Sequence, residues 1–149
     1  MKIVVDTNII FSTLLNSNSN IGDLLFNSGE IFDFYSCSYM RSEIQKHWER
    51  LKKISKLSEE QLQISYSLVL SKLKFINEEI IPVETWLASE QLTKRIDIDD
   101  IDFVALTKFL RATLWTGDKA LYNALKKLSF KKLVNTTELL ALRSTKDKR

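Results

Sequence analysis

The chain opens on Met1-Lys2-Ile3-Val4-Val5-Asp6-Thr7-Asn8, an aliphatic, β-branched run that ends abruptly on a carboxylate. A short apolar run without polar alternation reads as a strand buried on both faces, the pattern of a parallel sheet. Ile9, Ile10, Leu14 and Leu15 then recur at helical spacing, so the strand leads straight into a helix. The alternation continues down the chain. A short helix over 21–27 precedes an aromatic-rich strand over 31–37, and a long helix from an N-cap at Ser38 carries Met40, Ile44, Leu51 and Ile54 as its apolar stripe. Ser58-Glu59-Glu60-Gln61 opens a further helix in capping-box style, with Leu62, Tyr66, Leu70 and Leu73 as its buried ridge. A third strand is predicted over 79–83, toward a sheet edge because of Pro82. Helices follow over 85–94 and 103–110, a strand over 112–116, a helix over 119–128, a strand over 131–134 and a closing helix over 136–142. Strands separated by helices, with no hairpin turn signal, imply the α/β class: a central parallel sheet of about five strands covered on both faces. Residues 1–142 form one domain in this reading and 143–149 a charged tail.

Composition narrows the function classes. At 149 residues, with 44% hydrophobic and 28% charged, the chain can bury one substantial core. No apolar run approaches the ~20 residues that span a bilayer, so no membrane partner is expected. The lone Cys37 excludes an intrachain disulfide and fits a reducing cytoplasm, and the first residues lack the features of a secretory signal. A net charge of +3 permits a polyanionic partner without demanding one. With 3 Gly in the whole chain, a glycine-rich phosphate cradle is excluded.

The acids carry the chemistry. Residues just past the strand ends of a parallel sheet gather on one edge, where doubly wound proteins bind ligands. Asp6 sits there after the first strand, and Asp118 follows Thr113-Leu114-Trp115-Thr116-Gly117 in the same manner. Asp100 starts the helix before that later strand, and Glu43 lies in the helix after the second strand, one position off its apolar stripe. Taken singly, Asp6, Asp100 and Asp118 are also favoured helix N-caps, and Glu43 is an ordinary solvated residue. Together they resist that account: like charges ~4 Å apart cost about 1 kcal/mol in water and about 4 at an effective dielectric of 20. Four such groups at one edge need protons or a cation, and oxygen donors without a His or Cys cluster suit Mg²⁺ or Mn²⁺.

Ile3-Val4-Val5-Asp6-Thr7-Asn8, Ser42-Glu43-Ile44, the run from Asp97 to Leu106 and Leu114-Trp115-Thr116-Gly117-Asp118-Lys119 resemble, in order and spacing, the PIN-domain ribonucleases. The resemblance covers nearly the whole chain. It implies an α/β/α sandwich, an acidic pocket holding one or two Mg²⁺ or Mn²⁺ ions, and cleavage of RNA. Many small members are VapC-type toxins held by an antitoxin, so the resemblance also implies an antitoxin partner and a homodimer. It places Asp6, Glu43, Asp100 and Asp118 as the catalytic, metal-holding acids. Asp100 precedes Ala105 by five residues as in the family, while Asp97 and Asp102 are further candidates for that third place. Asn8 and Thr116 match polar positions that support the acids by hydrogen bonds.

Metal-assisted phosphodiester hydrolysis is the chemistry such a set performs. Nucleic acid would be held by basic residues flanking the acids: Arg41, Lys46, Arg50, Lys52 and Lys53, Lys119, and Lys126, Lys127, Lys131 and Lys132. His47, one turn after Glu43, reads as structural more readily than as a phosphate contact. Trp48, Trp86 and Trp115 read as packing, and Cys37 as a small apolar residue. A dehalogenase-type phosphatase needs an acid two residues past Asp6, where Asn8 stands, and a receiver domain needs N-terminal paired acids that are missing. The remaining rivals are a binding module that keeps the fold without catalysis and a nuclease of RNA processing not paired with an antitoxin.

Overall fold

The computed structural model describes residues 1–94, 96 and 98–147, with backbone alone at Ile98 and Asp147. Asp97, a candidate for the third acidic place, lies outside the described residues. Five strands form one parallel sheet: β1 (Lys2–Val5), β2 (Asp33–Cys37), β3 (Lys74–Ile76), β4 (Thr113–Trp115) and β5 (Leu133–Val134), in the order β3-β2-β1-β4-β5. The central β1 pairs Ile3 with Phe34 on one side and Val4 with Leu114 on the other. Ile3, Val4 and Val5 are fully buried, as the uninterrupted apolar run requires.

Helices α1 (Thr7–Leu15), α2 (Asn20–Asn27), α3 (Ser38–Lys46), α4 (Trp48–Ser55) and α5 (Glu59–Leu70) come before β3, and α6 (Val83–Thr93) and α7 (Ile101–Leu110) between β3 and β4. Then α8 (Lys119–Lys127) links β4 to β5, and α9 (Thr136–Asp147) follows. α1 touches α2, α3, α4 and α5, whereas α7 crosses β1, β2 and β4 with α6 packed on it. The β1–β2 and β3–β4 connections run in opposite directions across the sheet. Right-handed crossovers therefore put the α1 and α7 layers on opposite faces, which makes the α/β/α sandwich. The chain moves one way from β1 and the other way from β4, so the strand order reverses between these neighbours. A crevice opens past the ends of adjacent strands at such a reversal. No helix among the described residues is long and apolar enough to cross a membrane.

Several boundaries differ from the sequence expectation. The third strand lies at Lys74–Ile76, not over 79–83: Glu78–Ile80 is a 3₁₀ turn, Pro82 is the N-cap of α6, and Val83 is 67% exposed. The helix expected from Ser38 as one piece breaks at His47, and the change of direction leaves Ile54 exposed while Met40, Ile44 and Leu51 are buried. The residue at the N-cap of α3 is Cys37, and the Ser38 N–H donates instead to the Glu78 carboxylate. The capping box at Ser58 forms with both hydrogen bonds. α9 continues past its expected end at Leu142 to Asp147, and Arg143 in that stretch binds Asp23 and Ser28 of the α2 region.

Candidate metal centre

Asp6 stands one residue past β1, and its N–H donates to the Trp115 carbonyl, continuing the sheet ladder to the lip of the crevice. It occupies the N-cap position of α1, yet its side chain makes no cap hydrogen bond. Instead Oδ2 accepts from the Thr116 hydroxyl at 2.8 Å and from Asn8 Nδ2 at 3.3 Å. The ordinary capping account fails for this residue. Asp6 is 5% exposed, and burial pushes its carboxyl from 3.8 up to about 6. The Glu43 and Asp118 carboxylates add to the push, against the Thr116 hydroxyl and the Thr7 backbone, which favour the ionised form.

Asp118 does cap its helix: Oδ1 accepts from Ala120 N and Leu121 N at 2.9 and 3.1 Å. Those two bonds fix the carboxylate and leave Oδ2 with no hydrogen bond among the described residues. The two acids share one support. Thr116, 1% exposed, donates to Asp6, and its oxygen accepts from the Asp118 N–H at 3.1 Å and from Asn8 Nδ2 at 3.2 Å. Asn8 closes the ring by accepting from the Gly117 N–H at 3.0 Å.

Glu43 reaches the same lip from α3 and accepts a hydrogen bond from the buried Thr7 hydroxyl at the start of α1. The motif Asp6-Thr7-Asn8 was legible as a motif, but the grip of Thr7 on Glu43 was not. A crossover helix runs antiparallel to its strands, so the N-terminus of α7 also lies at this carboxyl edge. Asp100 is its N-cap, half-buried and without a side-chain cap bond. Asp102 follows within α7. Burial, then the neighbouring Glu78 carboxyl that hydrogen-bonds it, push Asp102 up to about 6, with Glu43 and Asp99 contributing. Asp99 shares a small cleft with Tyr39, Glu43, Lys46 and His47. The carboxyl edge thus carries a run of acids from Asp118 to Glu78.

Two groups in this run differ in their fitness for a cation. Around Asp6 the donors are all carboxylate oxygens, one of them disfavoured as an anion by its own burial, which a bound divalent ion relieves. By donor type Asp6, Glu43 and Asp118 fit a hard ion, although their carboxylate oxygens do not all lie within 4.8 Å of one another in this structure. Among the described residues, Cys37, Glu78 and Asp102 have ligand atoms all within 4.8 Å of one another. There burial pushes the Cys37 thiol up to about 12, Glu78 is engaged by Ser38, and the two carboxyl groups bond each other, which fits a hard ion less well.

The basic residues do not all flank the acids. Lys46 and Lys119 do, the latter beside Asp118 in a cleft of about 450 Å³ that includes Tyr122, Asn123 and Asn135. Arg41 lies over the Phe75 ring at 3.9 Å, Arg50 is exposed on α4, and Lys52 is held by Glu49 and Glu59. Lys131 and Lys132 precede β5, and Lys126 and Lys127 end α8, so all four belong to the opposite, amino edge of the sheet. These four lysines were expected to flank the acids, but α8 carries the chain across the whole layer before them. The His47 ring packs 5.7 Å from Phe11 at the α3–α4 break.

Comparison with known proteins settles the family. The PIN domain profile matches residues 4–139. The chain belongs to the PIN domain family. Among solved structures it is similar to VapBC2 from Rickettsia felis, a structure bound to a DNA fragment from its promoter. That match has a TM-score of 0.69 at 19% identity, covering 91% of this chain and 98% of the other. It is also similar to PAE2754 from Pyrobaculum aerophilum, with a TM-score of 0.68 at 14% identity, covering 97% and 90%. At these identities the likeness shows a shared PIN fold. No curated protein matches the chain in sequence.

Proposed function

We propose that this PIN-domain protein is a Mg²⁺- or Mn²⁺-dependent endoribonuclease and the toxin of a toxin–antitoxin pair. The observation that carries the reading is the buried Asp6 carboxyl, pressed by Glu43 and Asp118 and oriented by Thr116 and Asn8 instead of capping its helix. A divalent ion held there supplies Lewis acidity toward a phosphodiester oxygen and lowers the pKa of a water for in-line attack. Asp6 and Asp118 would be the principal residues holding such an ion, with Asp100 beside them, and Glu43, fixed by Thr7, would orient the attacking water. Thr116 and Asn8 keep both principal carboxylates in place, the role that supporting hydrogen bonds play in metal sites. Lys46 and Lys119 stand where they can contact the phosphates beside the scissile one. The likeness to VapBC2 and the family resemblance support an antitoxin partner and a homodimer in the cytoplasm.

Cleavage of single-stranded RNA in Mn²⁺ is expected to leave 5′-phosphate and 3′-hydroxyl ends, to stop in EDTA, and to proceed past a 2′-deoxy substitution at the scissile position. Asp6→Asn should lose activity by at least about 100-fold while remaining folded, the scale on which removing a charged transition-state contact acts. A variant as active as the wild type would remove Asp6 from the catalytic set, and a wild type inert in Mn²⁺ that still binds RNA would replace the nuclease with a binding module.

A further inference from the structure

At the amino edge, diagonally across the molecule from Asp6, the ends of α7 and α8 and the entry to β5 enclose a cleft of about 480 Å³. Lys108 and Arg111 come from the end of α7, and Phe130, Lys131 and Lys132 from the turn after α8. No carboxylate among the described residues lines it. The cleft is framed by regular structure: the Phe130 N–H donates to the Leu125 carbonyl, and the Leu114 N–H to the Lys132 carbonyl.

The bland account is that cations gather at helix C-termini to offset the dipoles. Each helix end is equivalent to about half a negative charge, so two ends call for about one positive charge. Four cations stand here. Three cations elsewhere are held by carboxylates: Lys52 by Glu49 and Glu59, Lys74 by Asp33 and Arg143 by Asp23. Lys108, Arg111, Lys131 and Lys132 make no ion pair with a carboxylate among the described residues. What Lys108 does face is the half-exposed Phe130 ring, at 5.9 Å. An unpaired excess of about three charges around one aromatic ring is the composition of a groove that follows a phosphodiester backbone and stacks a base.

We infer that the cleft of Lys108, Arg111, Phe130, Lys131 and Lys132 is a second RNA-binding site, which anchors single-stranded backbone at the amino edge while the acids work at the carboxyl edge. The choice of RNA among polyanions rests on the function proposed above. Strands of two to five residues separate the edges by roughly 7–17 Å of sheet at about 3.3 Å per residue, a span one RNA chain can bridge. The arrangement solves a problem the acidic edge creates. Carboxylates that hold a cation repel the rest of the polyanion, and a distant basic anchor restores the attraction.

The test is fluorescence anisotropy of a labelled single-stranded RNA in EDTA, with every protein carrying Asp6→Asn so that no strand is cut. Adding Lys131→Glu and Lys132→Glu should weaken binding at least about tenfold and make the log–log salt dependence shallower by about 1.4, two phosphate contacts at ~0.7 each. Phe130→Ala should weaken binding about tenfold with the salt slope unchanged. Lys131→Gln with Lys132→Gln provides a milder pair should charge reversal unfold the protein. Unchanged affinity and slope in either double variant overturns the inference, as does tighter binding of polyglutamate than of RNA, which would make an acidic protein the occupant. The readout is independent of cleavage. An active Asp6→Asn enzyme sinks the catalytic reading, whereas unaltered binding by the lysine variants sinks only the cleft.

Discussion

At the carboxyl edge Asp6 is buried and gripped by Thr116 and Asn8, whereas at the amino edge Lys131 and Lys132 stand exposed, paired with no carboxylate among the described residues. Both edges belong to one parallel sheet, yet they use charge in opposite ways. A buried carboxylate is expensive and rigid, so it suits a ligand that must be held in one place. An exposed lysine is cheap, mobile and screened by salt, so it suits a polymer that needs to be attracted and not aligned. Substitutions at the carboxyl edge should therefore move stability and turnover together, and those at the amino edge should move affinity.

The largest expected effect on stability is at Asp6. Its folded carboxyl is raised from 3.8 to about 6, which amounts to about 3 kcal/mol against the fold at pH 7 without a divalent ion. The sign follows from proton counting. Between pH 4 and 6 the folded state holds a proton that the unfolded state has released, so stability is highest below that window and falls as pH rises through it. Asp102, also raised to about 6, adds in the same direction. Urea denaturation in EDTA should show the wild type losing stability from pH 4.5 to 7 and Asp6→Asn losing less, ending more stable at pH 7. A flat wild-type profile would break the contrast at its origin.

Thr116→Val should come next. It removes the hydroxyl shared by Asp6, Asn8 and the Asp118 N–H, at a cost of about 1–3 kcal/mol for the polar groups left unsatisfied. Cleavage should fall roughly 10–100-fold, and Thr116→Ser should restore most of it. A valine variant with full activity would mean that the ring of hydrogen bonds is packing, not orientation.

The smallest effect concerns Arg111, which caps α7 with φ 54°, a left-handed conformation that favours glycine. Arg111→Gly should stabilise the protein by up to about 1 kcal/mol, as thermal unfolding would show, while weakening RNA binding. Loss of stability together with unchanged RNA affinity would make Arg111 an ordinary cap. A gain in stability with a loss of affinity would mark this edge as one where a strained backbone is tolerated for its charge.

Much of this architecture was legible in the chain because the informative segments are unambiguous. Ile3-Val4-Val5 has the all-apolar pattern that a doubly covered strand demands, and Ser58 to Gln61 spells its cap in full. The third strand was not legible. Lys74-Phe75-Ile76 has three residues of mixed exposure and follows Leu73, which continues the helical ridge, whereas Ile80-Ile81-Pro82-Val83 looks extended but leaves Ile80 and Val83 in solvent. Periodicity reports what could be buried, and tertiary structure decides what is. The acids were legible as residues and not as roles. Asp6 and Asp118 look alike before their helices, and only the structure shows that Asp118 caps while Asp6 does not. The basic run after Lys126 misled because a helix reverses position along the sheet, a displacement that sequence spacing does not display.

Calorimetric titration with Mn²⁺ tests the central claim most directly, since it asks whether the acids around Asp6 hold an ion before asking what the ion does. The wild type is expected to take up Mn²⁺ saturably, Asp6→Asn and Asp118→Asn to lose that uptake, and the Lys131→Gln, Lys132→Gln protein to retain it. Absence of uptake by the wild type, or equal uptake by Asp6→Asn, would contradict the account.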